Sequence, residues 1–157
     1  MNWTIEEPTT LREIDLFSEL SDQALSEIAA IMHTERYKRG DQIFGDGEPG
    51  RAMYLIAEGE VRISKQIEGL GEEALAILKP GSYFGEMGLL DGAPTSAEAW
   101  ANRTCVLHAI NREELLALMN RDRTISVELL WSFVHTLSDR LRETNSKVTF
   151  LATAGRF

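Results

Sequence analysis

Residues 84–97 read Phe84-Gly85-Glu86-Met87-Gly88-Leu89-Leu90-Asp91-Gly92-Ala93-Pro94-Thr95-Ser96-Ala97. The glycines of this stretch free the backbone for conformations with positive φ, which lets N–H groups converge on an oxygen-rich ligand. The carboxylate of Glu86 would accept hydrogen bonds from sugar hydroxyls. Position 95 is a threonine, where a phosphate pocket would favour arginine. The stretch therefore predicts a pocket for a ligand that carries sugar and anionic groups, with one expected cation missing.

Short apolar or alternating runs separated by turn residues extend on both sides of this stretch, over residues 36–110. Strands at such regular spacing predict a β-sandwich or barrel. Within this zone, residues 53–63 have the pattern of a hairpin, with its turn at Glu58-Gly59.

Helical periodicity flanks the β zone. Residues 9–34 predict short helices with Ser21 as an N-cap, and residues 111–151 predict a helix capped by Asn111 followed by a longer one. The longer helix has a heptad seam formed by Val127, Leu130, Val134, Leu137, Leu141, Thr144, Val148 and Leu151. Such a seam predicts a homodimer. The polar Thr144 either packs its methyl group there or meets a ligand.

Composition limits the partners. The 157 residues predict a single domain over residues 1–157, and a net charge of −9 disfavours binding to nucleic acid or anionic lipid. No run approaches the ~20 apolar residues of a membrane span. Because the first residues also lack the features of a secretory signal, we expect a cytoplasmic protein. The lone Cys105, in an apolar run, is expected to be a buried small hydrophobe.

With these elements placed, the chain resembles the cyclic-nucleotide-binding domain family, especially the sensor domain of the catabolite activator (cAMP receptor) type. The resemblance extends from Leu11 to Leu151. It rests on residues 11–21, the glycines Gly40, Gly47 and Gly59, residues 80–86 and residues 141–148. It implies an α+β fold in which a β jelly-roll (double-stranded β-helix) barrel is flanked by short N-terminal helices and a long C-terminal dimerisation helix.

The resemblance also implies roles in a ligand pocket. Gly85 is expected to be a backbone donor at the ligand, Glu86 the acceptor for the ribose 2′-hydroxyl, and Ser96 a hydroxyl donor to the cyclic phosphate. The phosphate-binding arginine of the family falls on Thr95, so its role does not carry over. Such a contact is worth ~1.5–3 kcal/mol, so its loss would weaken a micromolar site about ten- to more than a hundredfold. The basic residues considered as substitutes are Arg62, Lys65 and Arg103, and the sequence places none of them in the pocket.

Three residues of the long helix complete the expected site. Arg140 resembles the helix arginine that approaches Glu86 and the ribose. Thr144 and Asn145 resemble the residues that meet the base from the two subunits, which agrees with the polar break in the heptad seam.

These observations predict a non-enzymatic, homodimeric signalling module. Its binding of cyclic AMP or cyclic GMP is weak or altered, and the long helix passes occupancy to an unknown protein partner. No helix-turn-helix follows the long helix within the 157 residues, so direct DNA binding is not expected. The alternative is a degenerate dimeric scaffold that needs no ligand, and Thr95 motivates it.

A metal-dependent barrel enzyme is the third reading. It would need clustered ligands, usually histidines with a carboxylate. His33, His108 and His135 are predicted to lie in a helix, a strand and a helix, without metal-ligand spacing. Cys105 has no histidine at the spacing of a nucleophilic motif. We therefore predict no catalytic residue, no metal and no cofactor.

Overall fold

A computed structural model describes residues 5–155. Residues 1–4, on which the expectation of no secretory signal partly rests, and residues 156–157 lie outside the described part. The chain begins with two 3₁₀ turns, Pro8–Glu13 and Asp15–Phe17, followed by helix α1, Asp22–Ile31. Ser21 caps α1 as predicted, because its hydroxyl accepts a hydrogen bond of 3.2 Å from Ala24 N.

The predicted helical zone is wrong at its end. Strand β1, Met32–Tyr37, begins directly after α1 and pairs antiparallel with β8 from Met32 opposite Ile110 to Tyr37 opposite Cys105. His33 therefore lies in a strand. The apolar run across the junction suits either structure locally, and pairing with a strand more than 70 residues away decides between them.

Within residues 5–155, eight strands form two antiparallel sheets of four. After β1 the strands are β2 Gln42–Phe44, β3 Ala52–Glu58, β4 Val61–Ile67, β5 Gly71–Leu78, β6 Tyr83–Phe84, β7 Glu98–Ala101 and β8 Cys105–Asn111. The first sheet has the order β1-β8-β3-β6 and the second β2-β7-β4-β5. This is the strand order of a double-sheet jelly roll, which confirms the predicted α+β class. The predicted barrel is not closed, because within residues 5–155 no strand of one sheet pairs with a strand of the other.

The hairpin predicted over residues 53–63 is wrong. β3 pairs with β6 and β8 in the first sheet, while β4 pairs with β5 and β7 in the second. The Glu58-Gly59 turn is thus a corner where the chain crosses between sheets. Gly59 has a φ of +87°, and a Cβ there would lie 2.2 Å from the carbonyl oxygen of Thr104. The corner therefore requires glycine.

Helices cover the outer face of the first sheet. A short helix α2, Glu86–Asp91, follows β6, and α3, Arg112–Arg121, and α4, Arg123–Ala154, follow β8. Asn111 precedes α3 as predicted, but its side chain makes no capping hydrogen bond. One core cluster joins the N-terminal turns, α1, α3 and α4 to this sheet, and a second lies between the two sheets and includes the fully buried Cys105. Each buried leucine or isoleucine contributes ~1.5–3 kcal/mol, so these clusters fix the sheet that carries the site.

Candidate functional site

Residues 84–97 comprise the last residue of β6, helix α2 and the loop before β7. Gly85, the residue between β6 and α2, has a φ of +81°, and a Cβ there would lie 2.7 Å from the carbonyl oxygen of Ala52. Gly92, directly after α2, has a φ of +67°. Both glycines are therefore required by the backbone, and the chain turns sharply on either side of α2.

A cavity of about 310 Å³ opens beside α2. Gly85, Glu86, Thr95 and Ser96 all line it, so four of the seven predicted site residues come together. Three aromatic rings from β2, β3 and β6 line it as well, with centroids 5.2–6.2 Å apart: Phe44, Tyr54 and Phe84. The volume is at the low end of the ~300–1,000 Å³ typical of small-molecule sites. The arrangement joins an aromatic wall to polar groups.

The loop between β2 and β3 forms the other rim and packs directly on α2. A Cβ on Gly50 would lie 2.5 Å from the Cα of Gly88, and one on Gly88 would lie 2.8 Å from the Cα of Gly50. The two backbones are thus too close for any side chain between them. This contact fixes the width of the cavity.

Thr95 fastens the same loop to the cavity. Its hydroxyl donates a hydrogen bond of 2.6 Å to the carbonyl of Gly45 and accepts one of 3.1 Å from Glu48 N. Its backbone N–H donates to Glu48 O at 2.7 Å, and its carbonyl accepts from Gly47 N at 2.8 Å. The residue at the position expected for arginine therefore has a structural role of its own, and its hydroxyl is already engaged.

Glu86 is buried and forms an ion pair with Arg140 of α4. The Glu86 side chain is 10% exposed and that of Arg140 44%. The Arg140 guanidinium also lies 4.8 Å from the ring centroid of Tyr83, within cation–π range. Burial raises the pKa of Tyr83, although the positive charge of Arg140 opposes the shift. Arg140 does not line the cavity itself but reaches the carboxylate that does.

Thr144 and Asn145 are not brought to the cavity within one chain. Both lie on the exposed last part of α4. The Thr144 hydroxyl donates a hydrogen bond of 2.9 Å to the carbonyl of Arg140, one turn earlier on the helix. These two residues can therefore reach a ligand only from a second copy or after a movement of α4.

The seam of α4 is free in this chain. Ile125, Leu129 and Phe133 are buried against the domain, whereas the seam residues Val127, Leu130, Val134, Leu141, Val148 and Leu151 are 47–69% exposed. The helix thus has one face packed on the domain and a second, apolar face that is largely exposed in the described chain. Residues 139–155 are exposed throughout.

The three basic residues named from the sequence lie outside the cavity lining. Arg62 forms an ion pair with Glu72 at 2.9 Å and Arg103 with Glu60 at 3.4 Å. The Lys65 ammonium donates a hydrogen bond of 3.0 Å to the carbonyl of Ser96 and thus supports the cavity from outside.

Arg51 is a functional candidate that the sequence reasoning missed. It is exposed and lines the cavity next to Gly50. Arg51 lies directly before β3, and the first residues of that strand adjoin Gly85. Its position next to this strand is the feature that could have identified Arg51.

The charge of the cavity is otherwise negative. Glu48, Glu86 and Asp91 line it together with Arg51. Burial, with the carboxylates of Glu35 and Glu48 as further causes, raises the pKa of Tyr54 to about 12. Tyr54 is therefore a neutral phenol at physiological pH, able to donate or accept a hydrogen bond.

The histidines do not converge on one centre. His33 bonds to Glu35 at 2.7 Å, His108 to Thr34 at 2.9 Å and His135 to Glu19 at 3.0 Å. Across residues 5–155, no group of three or more His, Cys, Asp or Glu side chains is arranged to hold a metal ion. Burial raises the pKa of the Cys105 thiol. None of the helices in the described range is both long and apolar enough to cross a membrane.

Comparison with known proteins gives a consistent result. The family model described as the cyclic nucleotide-binding domain matches residues 34–122. The cyclic AMP receptor protein of Thermus thermophilus is 36% identical over 137 residues, which is 87% of this chain and 62% of that protein. The cAMP-dependent protein kinase regulatory subunit of Debaryomyces hansenii is 33% identical over 109 residues, which is 69% of this chain and 23% of that protein.

Among solved structures, the N-terminal domain of a transcriptional regulator from Streptomyces coelicolor superposes with a TM-score of 0.75 at 30% identity. The match covers 88% of this chain and 94% of that one. The chain therefore spans a whole solved domain but less than two thirds of the length of the curated relatives.

Proposed function

Because this chain belongs to the cyclic nucleotide-binding domain family, we propose that it is a non-enzymatic sensor module that binds a cyclic mononucleotide weakly and works as a homodimer through α4. One observation carries the proposal. Gly85, Glu86 and Ser96 line a single cavity, and the carboxylate among them is held by an arginine of the long helix. We keep a cytoplasmic location as part of the proposal.

The residues of the cavity divide the ligand between them. The Glu86 carboxylate accepts from the ribose hydroxyl, while Gly85 N–H and the Ser96 hydroxyl face the phosphate. The aromatic rings beside them provide apolar surface for the remainder of the ligand. Thr95 provides no charge to the phosphate, and the cost of one missing charge-assisted contact is ~1.5–3 kcal/mol. Where no other cation meets the phosphate, a dissociation constant ten- to a hundredfold above micromolar is expected.

The homodimer explains the exposed face of α4. Most helical stability in proteins comes from packing of an apolar face, so a partner on the exposed end of α4 would stabilise it. In a parallel pair built on the seam, Arg140 falls at position g and Asn145 at position e of the next heptad. Position g of one helix faces position e of the other. Arg140, which holds Glu86, would therefore meet Asn145 of the partner subunit.

This geometry gives ligand binding a route to the helices. A ribose hydroxyl that donates a hydrogen bond to Glu86 reduces the part of the carboxylate charge that Arg140 compensates. Because Arg140 faces the second helix, its contact with that helix then depends on ligand occupancy. A ligand shifts the helix pair only as far as its affinities for the two arrangements differ. A protein partner that reads the helix pair would then respond to occupancy.

Isothermal titration with cyclic AMP and cyclic GMP tests the proposal, with Glu86→Gln as the pocket variant and Glu73→Gln as the matched control. Glu73 is an exposed residue of the edge strand β5. We expect saturable binding by the wild type and the control, and at least a tenfold loss in Glu86→Gln. No saturable binding of either nucleotide, in protein that remains folded, would overturn the sensor function.

The degenerate scaffold is the second candidate, and the engagement of Thr95 with the loop favours it. A threonine that fastens the loop stabilises the cavity wall without any ligand. The scaffold predicts that neither Glu86→Gln nor a cyclic nucleotide changes dimerisation or partner binding. Loss of partner binding in the folded Glu86→Gln variant would count against it.

A further inference from the structure

We infer that Arg51, on the loop before β3, supplies the positive charge that position 95 lacks, so that this pocket receives the phosphate of a cyclic mononucleotide beside that loop. The inference rests on the proposed function and names the residue that determines its anion specificity. It concerns a residue more than thirty positions before residues 84–97 in sequence.

Arg51 lies at the cavity and its backbone is held in place. Arg51 lines the same cavity as Glu86 and Ser96. Its backbone is held on both sides, because Gly50 packs against Gly88 and the Arg51 carbonyl accepts a hydrogen bond of 2.8 Å from Arg112 N. The point from which the side chain starts is therefore fixed relative to α2.

The guanidinium of Arg51 is also free to bind an anion. Within residues 5–155, Arg51 is the one cationic residue that lines the cavity, and its exposed guanidinium has no hydrogen bond or ion pair there. Lys65 donates to the carbonyl of Ser96 and lies 3.8 Å from Asp46. The guanidinium of Arg140 pairs with Glu86. Arg51 alone can take up an anion without giving up a contact of the described chain.

The carboxylates that line the cavity make a cation necessary for anion binding. Of its three lining carboxylates, Glu86 is neutralised by Arg140, which leaves Glu48 and Asp91 near any bound anion. A singly charged phosphodiester would be repelled unless a cation enters with it. A guanidinium binds phosphate through paired N–H donors and remains charged at any physiological pH. One arginine therefore matches the single charge of a cyclic phosphate.

The hydrogen bonds of Thr95 are consistent with a structural role for this residue and an anion-binding role for Arg51. Because its hydroxyl and backbone fasten residues 45–48, Thr95 keeps in place the loop that carries Arg51. The cavity thus has its fixed clamp at position 95 and its unpaired cation at position 51.

Titration of cyclic AMP into the wild type, Arg51→Gln, Arg39→Gln, Thr95→Arg and the double variant Arg51→Gln/Thr95→Arg tests the inference. Arg39 is exposed and does not line the cavity, so it is the matched control. We expect Arg51→Gln to lose about 10- to 100-fold in affinity and Arg39→Gln to remain within about twofold of wild type. The affinity of Arg51→Gln should also depend less on salt concentration than that of wild type. In the Thr95→Arg background, Arg51→Gln should lose less than about threefold, because a second arginine then meets the phosphate.

The other possible titration results would contradict the role of Arg51. Unchanged affinity in Arg51→Gln overturns the inference and leaves the sensor function standing. Binding by Thr95→Arg alone, with none by wild type, shows that Arg51 does not replace the missing cation although the pocket is present. Absence of binding in every folded variant overturns the inference and the proposed function together.

Discussion

The ion pair between Glu86 and Arg140 connects the cavity to the long helix, and its strength can be measured by a double-mutant cycle of Glu86→Gln and Arg140→Gln. Breaking a fully buried pair costs ~3–5 kcal/mol, whereas an exposed pair is worth only ~0.2–1 kcal/mol. Glu86 is 10% exposed and Arg140 44%, so we place the coupling free energy between these limits, at ~1–2 kcal/mol. Arg140→Gln should cost a further ~0.5–1 kcal/mol, because it also removes the contact with Tyr83.

Urea unfolding followed by circular dichroism, at one fixed protein concentration, gives the free energy of unfolding for each variant. The exposed pair of Arg142 with Asp139, whose side chains are 75% and 79% exposed, is the control cycle. Its coupling should stay below about 0.5 kcal/mol. A coupling between Glu86 and Arg140 as small as that of the control would refute the reasoning that α4 is fastened to the pocket through this carboxylate.

Three further results are expected. Burial lowers the pKa of His108 below its ordinary value of 6.5. The neutral imidazole therefore stabilises the fold above pH 6.5, and this contribution is lost as the pH falls through 6.5 toward the lower pKa of the folded state. His108→Gln should flatten the fall in the urea midpoint on acidification, and an unchanged fall would contradict this. Gly59→Ala places a Cβ 2.2 Å from Thr104 O and should cost more than ~2 kcal/mol by urea unfolding, whereas Gly69→Ala, at a similar φ but in open space, should cost about 1 kcal/mol; equal costs would speak against the steric argument. Leu141→Glu, at a seam residue that is 62% exposed, should convert the proposed dimer to a folded monomer in sedimentation, and a dimer that persists would show that the seam is not the interface.

The sequence predicted the elements of the fold better than their pairing. The zone of short strands and the long helix could be read from periodicity and turn residues alone. The turn at Glu58-Gly59 looks like a hairpin because two apolar runs adjoin it, but β3 pairs with β8, about fifty residues later. The same kind of distant pairing draws His33 into β1. Pairing between distant segments leaves no local signal, so these errors follow from reading local pattern alone.

The candidate site shows the same limit. The chemistry of residues 84–97 points to Gly85 and Glu86, the family resemblance adds Ser96, and the absence of arginine at Thr95 is visible from residue type alone. The function of the Thr95 hydroxyl depends on a loop that lies about fifty residues earlier. Arg51 was missed for the same reason, because proximity in sequence was used to search for a replacement cation.

On the proposed function, the cavity is a phosphate-accepting pocket with one cation missing from position 95. The affinity of Thr95→Arg for cyclic AMP tests it most directly, with Thr95→Gln as the control that removes the hydroxyl clamp without adding charge. We expect Thr95→Arg to bind at least about tenfold more tightly than wild type and Thr95→Gln to show no such gain. An affinity in folded Thr95→Arg equal to or below that of Thr95→Gln would show that position 95 does not face a bound phosphate.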